Sequence, residues 1–195
     1  MPKTSAINRI QLGSGTGHKL VGSDPVVSAL PTITTPHHEV HEGEYYGTGY
    51  LWTTVADNAE ANLLIVMNTP NDLHCLVAGA IGGDAFAYVY EDPTFTDAPT
   101  DYGTALVERN FNRNYADASQ FDSFHTPTIL ADGNNLVQQF IPGGAGPARF
   151  TGGGSASTRE EIVLISGKIY LFRLTNKSGG AQPASIEVTG YEHSA

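Results

Sequence analysis

Residues 36 to 44, Pro-His-His-Glu-Val-His-Glu-Gly-Glu, place three histidines and three glutamates within nine positions. Imidazoles and carboxylates are the ligands of zinc sites and the acids and bases of hydrolases, so chemistry is sought here first. Helical zinc sites use histidines four apart, with a glutamate directly after the first. His37 and His41 have that spacing, but the glutamate, Glu39, follows His38. Pro36 and the aromatic run that starts at Tyr45 argue for extended chain rather than helix. In extended chain alternate residues share a face, which groups His37, Glu39 and His41. Such a trio holds a metal only if assembly brings copies together around an axis. Within one copy the stretch reads as the polar start of the first strand, with Val40 alone turned to the core. Neither a metal nor a cofactor is expected.

Other catalytic arrangements lack support. A glycosidase needs two converging carboxylates, whereas Glu91, Asp92, Asp97, Asp101, Asp117 and Asp122 fall mostly in loops, where acids cap turns. There is no Gly-x-Ser-x-Gly, and His74 and His125 stand in unrelated surroundings. His74 and Cys75 are neighbours on one strand and point to opposite faces, so they form no dyad. Cys75, the single cysteine, reads as a small buried core residue and allows no disulfide within the chain. The Gly-rich stretch 141–160 holds no lysine and opens no helix, which excludes a phosphate-binding loop. The chain is not expected to be an enzyme.

Two stretches carry residues of the kind found at protein interfaces. In 108–129, Glu-Arg-Asn-Phe-Asn-Arg-Asn-Tyr opens a segment rich in Arg, Asn and aromatics. Read as a strand, it puts Arg109, Phe111 and Arg113 on one face and Asn110, Asn112 and Asn114 on the other, with Tyr115 following. Arg, Tyr and Phe are enriched at interfaces, and a row of amides suits hydrogen bonds to a partner or a sugar. The Gly-rich stretch 141–160 reads as an adaptable contact loop with Arg149 and Phe150 at its tip.

The elements that must position these residues are strands. Runs at 44–55, 61–68, 73–83, 85–92, 104–114, 134–142, 159–166, 168–176 and 184–193 are apolar, aromatic or β-branched, with Gly, Pro and Asn between them. Gly82-Gly83-Asp84 reads as a hairpin turn. Residues 55–63 could form one helical turn at most. The pattern predicts an all-β fold, a jelly-roll-like antiparallel β-sandwich over 37–195. It would bury Leu63, Ile65, Phe86, Tyr88, Ile169, Leu171 and Leu174 together, with Trp52 also inside. Residues 1–36, with four prolines and no periodicity, read as an extended N-terminal arm.

Charge narrows the function classes. The chain of 195 residues carries a net charge of −10, charged residues are only 15%, and no lysine or arginine cluster exists. Nucleic-acid binding and attachment to an anionic membrane are therefore not expected. No stretch reaches the length of a membrane helix, and the start of the chain lacks a signal peptide's apolar core, so a soluble protein made in the cytoplasm is expected.

The segments HHEVHEGEYY, NFNRNYADAS, FHTPTILADG, FIPGGAG and KIYLFRLTNKSGGAQPASIEVTGYEH resemble, in order and spacing, a family of tailed-bacteriophage virion proteins. That family pairs an early His-x-x-x-His-x-Gly segment with an Asn-Arg-Asn strand and a His-Thr-Pro-Thr loop. It ends in Tyr-x-x-Arg-Leu-Thr-Asn and a last aromatic-acidic strand. The likeness covers about residues 35 to 193, departing in the doubled His37-His38 and a shorter Gly-rich loop. It implies a head decoration (cement) protein on the capsid exterior, with the major capsid protein as partner. Self-association as a homotrimer is also implied, and catalytic residues are not. The alternative is a head-fibre, tail or baseplate sandwich that binds host carbohydrate.

Overall fold

Alternating apolar positions make most of this chain strand. The structure, a computed structural model, describes residues 35–68, 70–114, 117–142, 148–152 and 161–194. The expected arm up to Thr34 lies outside the described residues. One helix, α1 (Thr35–Glu42), precedes β1 (Tyr45–Val55), β2 (Glu60–Met67), β3 (Asn71–Ile81) and β4 (Ala85–Glu91). Then come β5 (Thr104–Ala105), β6 (Arg109–Asn110), β7 (Phe121–His125), β8 (Asn134–Ile141) and β9 (Ala148–Gly152). The last strands are β10 (Ile162–Leu164), β11 (Ile169–Asn176) and β12 (Gln182–Ser194).

They form two antiparallel sheets, the sandwich that the sequence predicts. The first runs β10-β3-β12-β1-β6, with β9 also on β3, and the second runs β5-β7-β2-β11-β4-β8. β9 and β10 share one edge of β3, at Val77–Ile81 and Leu73–Cys75 respectively. Contacts between β1 and β7 align the sheets. Tyr46 meets Phe121 edge-on at 6.4 Å, and Tyr50 stacks on His125 at 3.6 Å. One lateral side of the sandwich therefore carries β6 and β5, and the other carries β9, β10 and β8.

Between the sheets lie Leu63, Ile65 and Met67 of β2, Leu73, Cys75 and Val77 of β3, Phe172 and Leu174 of β11, and Ile186 and Val188 of β12. Each large side chain removed from water contributes roughly 1.5–3 kcal/mol. The expected joint burial holds only in part. Leu171 belongs to a second cluster, with Leu64 and Tyr90, on the outer face of the second sheet, and Ile169 packs against it. Phe95 and Ile129 from loops, and Tyr102 from a single 3-10 turn (Thr100–Tyr102), cover it. Phe86 and Tyr88 are half-buried on this outer face, because the inward positions of β4 are Ala85, Ala87 and Val89. Trp52 is half-buried rather than enclosed.

Four local expectations are corrected. The histidine run is helix, not the start of a strand. A proline in the first helical turn gives up an N–H that would have no partner there, so Pro36 does not forbid α1. Gly43, at φ 83, ends it: the Gly43 N–H bonds Val40 O and the Glu44 N–H bonds Glu39 O, the paired closure of a Schellman turn. The two-residue alternation that grouped His37, Glu39 and His41 does not apply on a helix. Residues 104–114 give only the two-residue strands β5 and β6. The Gly82–Asp84 turn is a corner between sheets, since β3 and β4 pair in different ones. Finally, β7 and β9 are strands inside stretches read as an interface segment and a loop.

Polar groups knot the loops. Asn176 is buried, and its amide reaches Val55 O at 2.9 Å, Ala56 O at 3.2 Å and Gly180 O at 2.7 Å, tying the end of β1 to the turn before β12. Thr48 and Ser123 share a hydrogen bond of 2.7 Å between the sheets, and Glu108 accepts from the Ser123 N–H at 2.7 Å. The Tyr170 hydroxyl accepts from Ile165 N–H and donates to Glu91, both at 3.0 Å, and burial first of all pushes its pKa up to about 12. No described buried side-chain nitrogen or oxygen lacks a partner.

Two buried groups give tests. Burial pushes the Cys75 thiol well above its ordinary range, so little thiolate exists at neutral pH. An aromatic disulfide reagent at pH 8 is expected to leave the folded protein unmodified and to titrate one thiol after denaturation. Burial also raises the pKa of Glu192, so the folded chain holds its proton more tightly than the unfolded chain. Stability from this group is full below the ordinary glutamate value of about 4.5 and is lost as pH rises above it. In thermal melts across pH 4 to 8, Glu192→Gln is expected to flatten that decline.

Candidate functional site

The interface residues expected in 108–115 gather where α1 meets β1 and β6. The site is built from the asparagines. Beyond Asn110 the chain leaves the sheet, because asparagine side chains take the backbone N–H groups that a strand would use. Asn110 Oδ1 accepts from the Asn112 N–H at 2.8 Å, and Asn112 Oδ1 accepts from the Asn114 N–H at 3.1 Å. Their amide nitrogens point the other way. Asn110 Nδ2 donates to Gly43 O at 2.6 Å and Asn112 Nδ2 to His41 O at 3.1 Å. These carbonyls stand at the C-terminal end of α1, where helix carbonyls lack partners of their own. Asn110 and Asn112 are therefore a clasp on the helix, not a row of amides offered to a partner.

Phe111 is carried on top of this clasp. Its N–H donates to Tyr45 O at 2.9 Å, and its ring meets the Tyr45 ring edge-on at 5.3 Å. The seat is Gly47: a Cβ there would come within 2.6 Å of the Phe111 ring. Phe111 remains 48% exposed. Arg109 and Arg113 flank it, both exposed, and neither enters an ion pair with a described carboxylate. The site presents an ordered aromatic ring with an exposed arginine two residues to either side in sequence, on a chain of net charge −10. Exposed Arg and aromatic residues on a rigid support have the composition of an interface anchor.

Acidic groups stand behind it. Burial, then a hydrogen bond with Glu39, raises the pKa of Glu44. His38 lies 3.5 Å from Glu39 and 3.8 Å from Glu42. Among the described residues no group of three or more His, Cys, Asp and Glu is placed to hold a metal ion.

The remaining expected residues do not join this site. Tyr115 lies outside the described residues. Arg149 and Phe150 pair with Ala80 and Gly79 as part of β9, and their side chains lie outside what is described. β9 is at the opposite edge of the first sheet from β6, four strand spacings or about 19 Å away.

Two aromatic surfaces were not singled out in the sequence. On the outer face of the second sheet, Phe86 lies 5.5 Å from Phe140 and 6.3 Å from Tyr88. At the β1 edge, Trp52 packs edge-on to Tyr50 at 4.9 Å, and its indole N–H reaches Thr126 Oγ1 at 3.4 Å. Thr126 has φ 57, uncommon for a β-branched residue. Tyr50, Trp52 and His125 pack inward and close the side of the sandwich. Burial lowers the pKa of His125, favouring the neutral ring.

The clasp and the arginines separate by mutation. Asn110→Ala removes the bonds to Gly43 O and the Asn112 N–H and a side-chain bond with Tyr46, and is expected to cost at least about 1–2 kcal/mol in denaturant unfolding. Arg109→Ala and Arg113→Ala are expected to stay within about 0.5 kcal/mol of the parent. In comparisons with known proteins, no family model, no curated protein and no solved structure matches the chain.

Proposed function

We propose that the chain is a structural protein of a tailed-phage particle, a head decoration protein that binds the assembled capsid from outside and stabilises it. The observation that carries this reading is the segment of Arg109, Phe111 and Arg113, an exposed ring held by a hydrogen-bonded clasp, with exposed arginines two residues to either side that enter no ion pair with a described carboxylate. It supports docking rather than catalysis, and the sequence likeness described above supplies the kind of partner. Preordering of the anchor lowers the cost of immobilising it on a partner. A protein that binds only the assembled lattice shifts assembly toward it, and many weak contacts add up over a shell.

The test is binding to expanded shells of the major capsid protein beside free capsid subunits. Shells are expected to take up the protein and to melt higher, and subunits to take up none. Phe111→Ala, combined with Arg109→Ala and Arg113→Ala, is expected to weaken shell binding at least tenfold, the loss of about 1.4 kcal/mol or more. Higher salt is expected to weaken it too, because the guanidiniums act through screened charge. Shells left unoccupied, with unchanged melting, would overturn the reading.

A second reading, a tail, baseplate or head-fibre protein that binds host carbohydrate, rests on the row of Phe86, Tyr88 and Phe140 beside Gln138. Aromatic faces and amides are groups that stack on and hydrogen-bond sugars. Location in the intact particle, head lattice or tail, separates the two.

A further inference from the structure

The edge of the second sheet carries a feature that shell binding does not use. β8 pairs with β4 on one side and with no described strand on the other. Its sequence, Asn-Asn-Leu-Val-Gln-Gln-Phe-Ile, has no charged residue, and six of its eight positions are exposed. Leu136 is 49% and Phe140 51% exposed. An open edge offers unpaired N–H and C=O groups to any passing strand. Proteins guard such edges with lysine, inward charges, proline or shortness. β5 and β6, at the ends of the two sheets, have two residues each, and β10 has three. β1 also has no described strand on that side beyond Gly47, but its register with β12 breaks between Trp52 and Val55. β8 has one irregularity, at Leu136, which leaves Val137–Ile141 in unbroken register with Ala85–Val89.

We propose that β8 pairs antiparallel with β8 of a second copy of this chain, joining two six-stranded sheets across a two-fold axis. Charge selects this occupant. Each copy carries −10, so two copies repel wherever acidic surfaces meet, and the neutral β8 is a place where they need not. A charged partner gains nothing from a row without charge. Amides add self-complementarity. Asn134, Asn135, Gln138 and Gln139 each carry donor and acceptor, so whichever amides meet across the axis can satisfy each other. An antiparallel pair of identical strands is isologous, with each contact made twice.

The edge is also held ready. Asp132, two residues before β8, is fixed by the Arg173 guanidinium through two contacts of 2.8 Å. Gly133, at φ 84, passes so close to Glu91 O and Asp92 O that a side chain would not fit. Phe140 rests against Phe86. The strand therefore loses little freedom when it pairs. The β6 corner lies on the other lateral side, so this pairing does not depend on shell binding.

The test is sedimentation of the full chain with and without Gln138→Lys and Gln139→Lys. The parent is expected to sediment as a concentration-dependent dimer. The lysine variants are expected to raise its dissociation constant at least tenfold, with the monomer's melting temperature unchanged. With Cys75 buried, single Gln138→Cys and Gln139→Cys variants add the reactive thiol, and at least one is expected to form a disulfide with its own copy. A parent that stays monomeric would overturn the proposal. So would association that survives the lysines, or cross-linking of Gln138→Cys only to a Leu51→Cys partner.

Discussion

β11 has strands on both sides and apolar layers above and below, and this governs the rest of the sandwich. Seven of its eight residues are buried, yet Arg173 stands in the middle, only 7% exposed. A guanidinium there is tolerable only if its charge and donors are met locally, because an unpaired buried charge costs several kcal/mol. Asp132 takes two of its nitrogens and Glu60 lies 3.1 Å from Nε. Asn62 accepts from Nε at 2.8 Å, and the Tyr90 ring lies beneath at 5.4 Å. Those partners come from β2, β4 and the turn into β8. Neutralising one side chain thus ties three strands to the central one.

The two lateral sides of the sandwich are finished differently. On one, β5 and β6 are stubs, and the chain between them turns inward so that Glu108 meets Ser123. Asparagines then spend their hydrogen bonds on the end of α1, leaving an aromatic ring and two arginines at the surface. On the other, β9 and β10 pair with β3, while β8 has no second strand among the described residues. The first side carries an exposed ring and two arginines, and β8 on the second is uncharged and amide-rich. Two edges of such unlike chemistry suit two unlike partners.

Much of this was legible in the residues. β2, β3, β4, β11 and β12 are long apolar or β-branched runs whose burial overrides local detail, so their place in two antiparallel sheets follows from pattern. α1 was not legible, because His37-His38-Glu39 has no apolar stripe and Pro36 looks like a breaker unless it falls in the first turn. Gly43, four residues before Gly47, was the available signal for a helix stop. β7 is five residues long and β9 is flanked by glycines, so neither shows a period. At the candidate site, Arg109 and Phe111 were legible by type. The asparagines were misread: alternation assumes a strand, and Asn110 and Asn112 are the residues that end it. Composition marks Arg149 and Phe150 as interface types but carries no information on which edge a segment joins.

Cys75 sits at the middle of β3, covered on one side by the opposite sheet and on its edge by Ile162 of β10. With no second thiol in the chain and this one out of reach, folding involves no electron transfer. The covalent structure is the same in a reducing cell interior and in an oxidising exterior. The sandwich is indifferent to the redox potential of its surroundings, and passage from one compartment to the other changes nothing that holds it together.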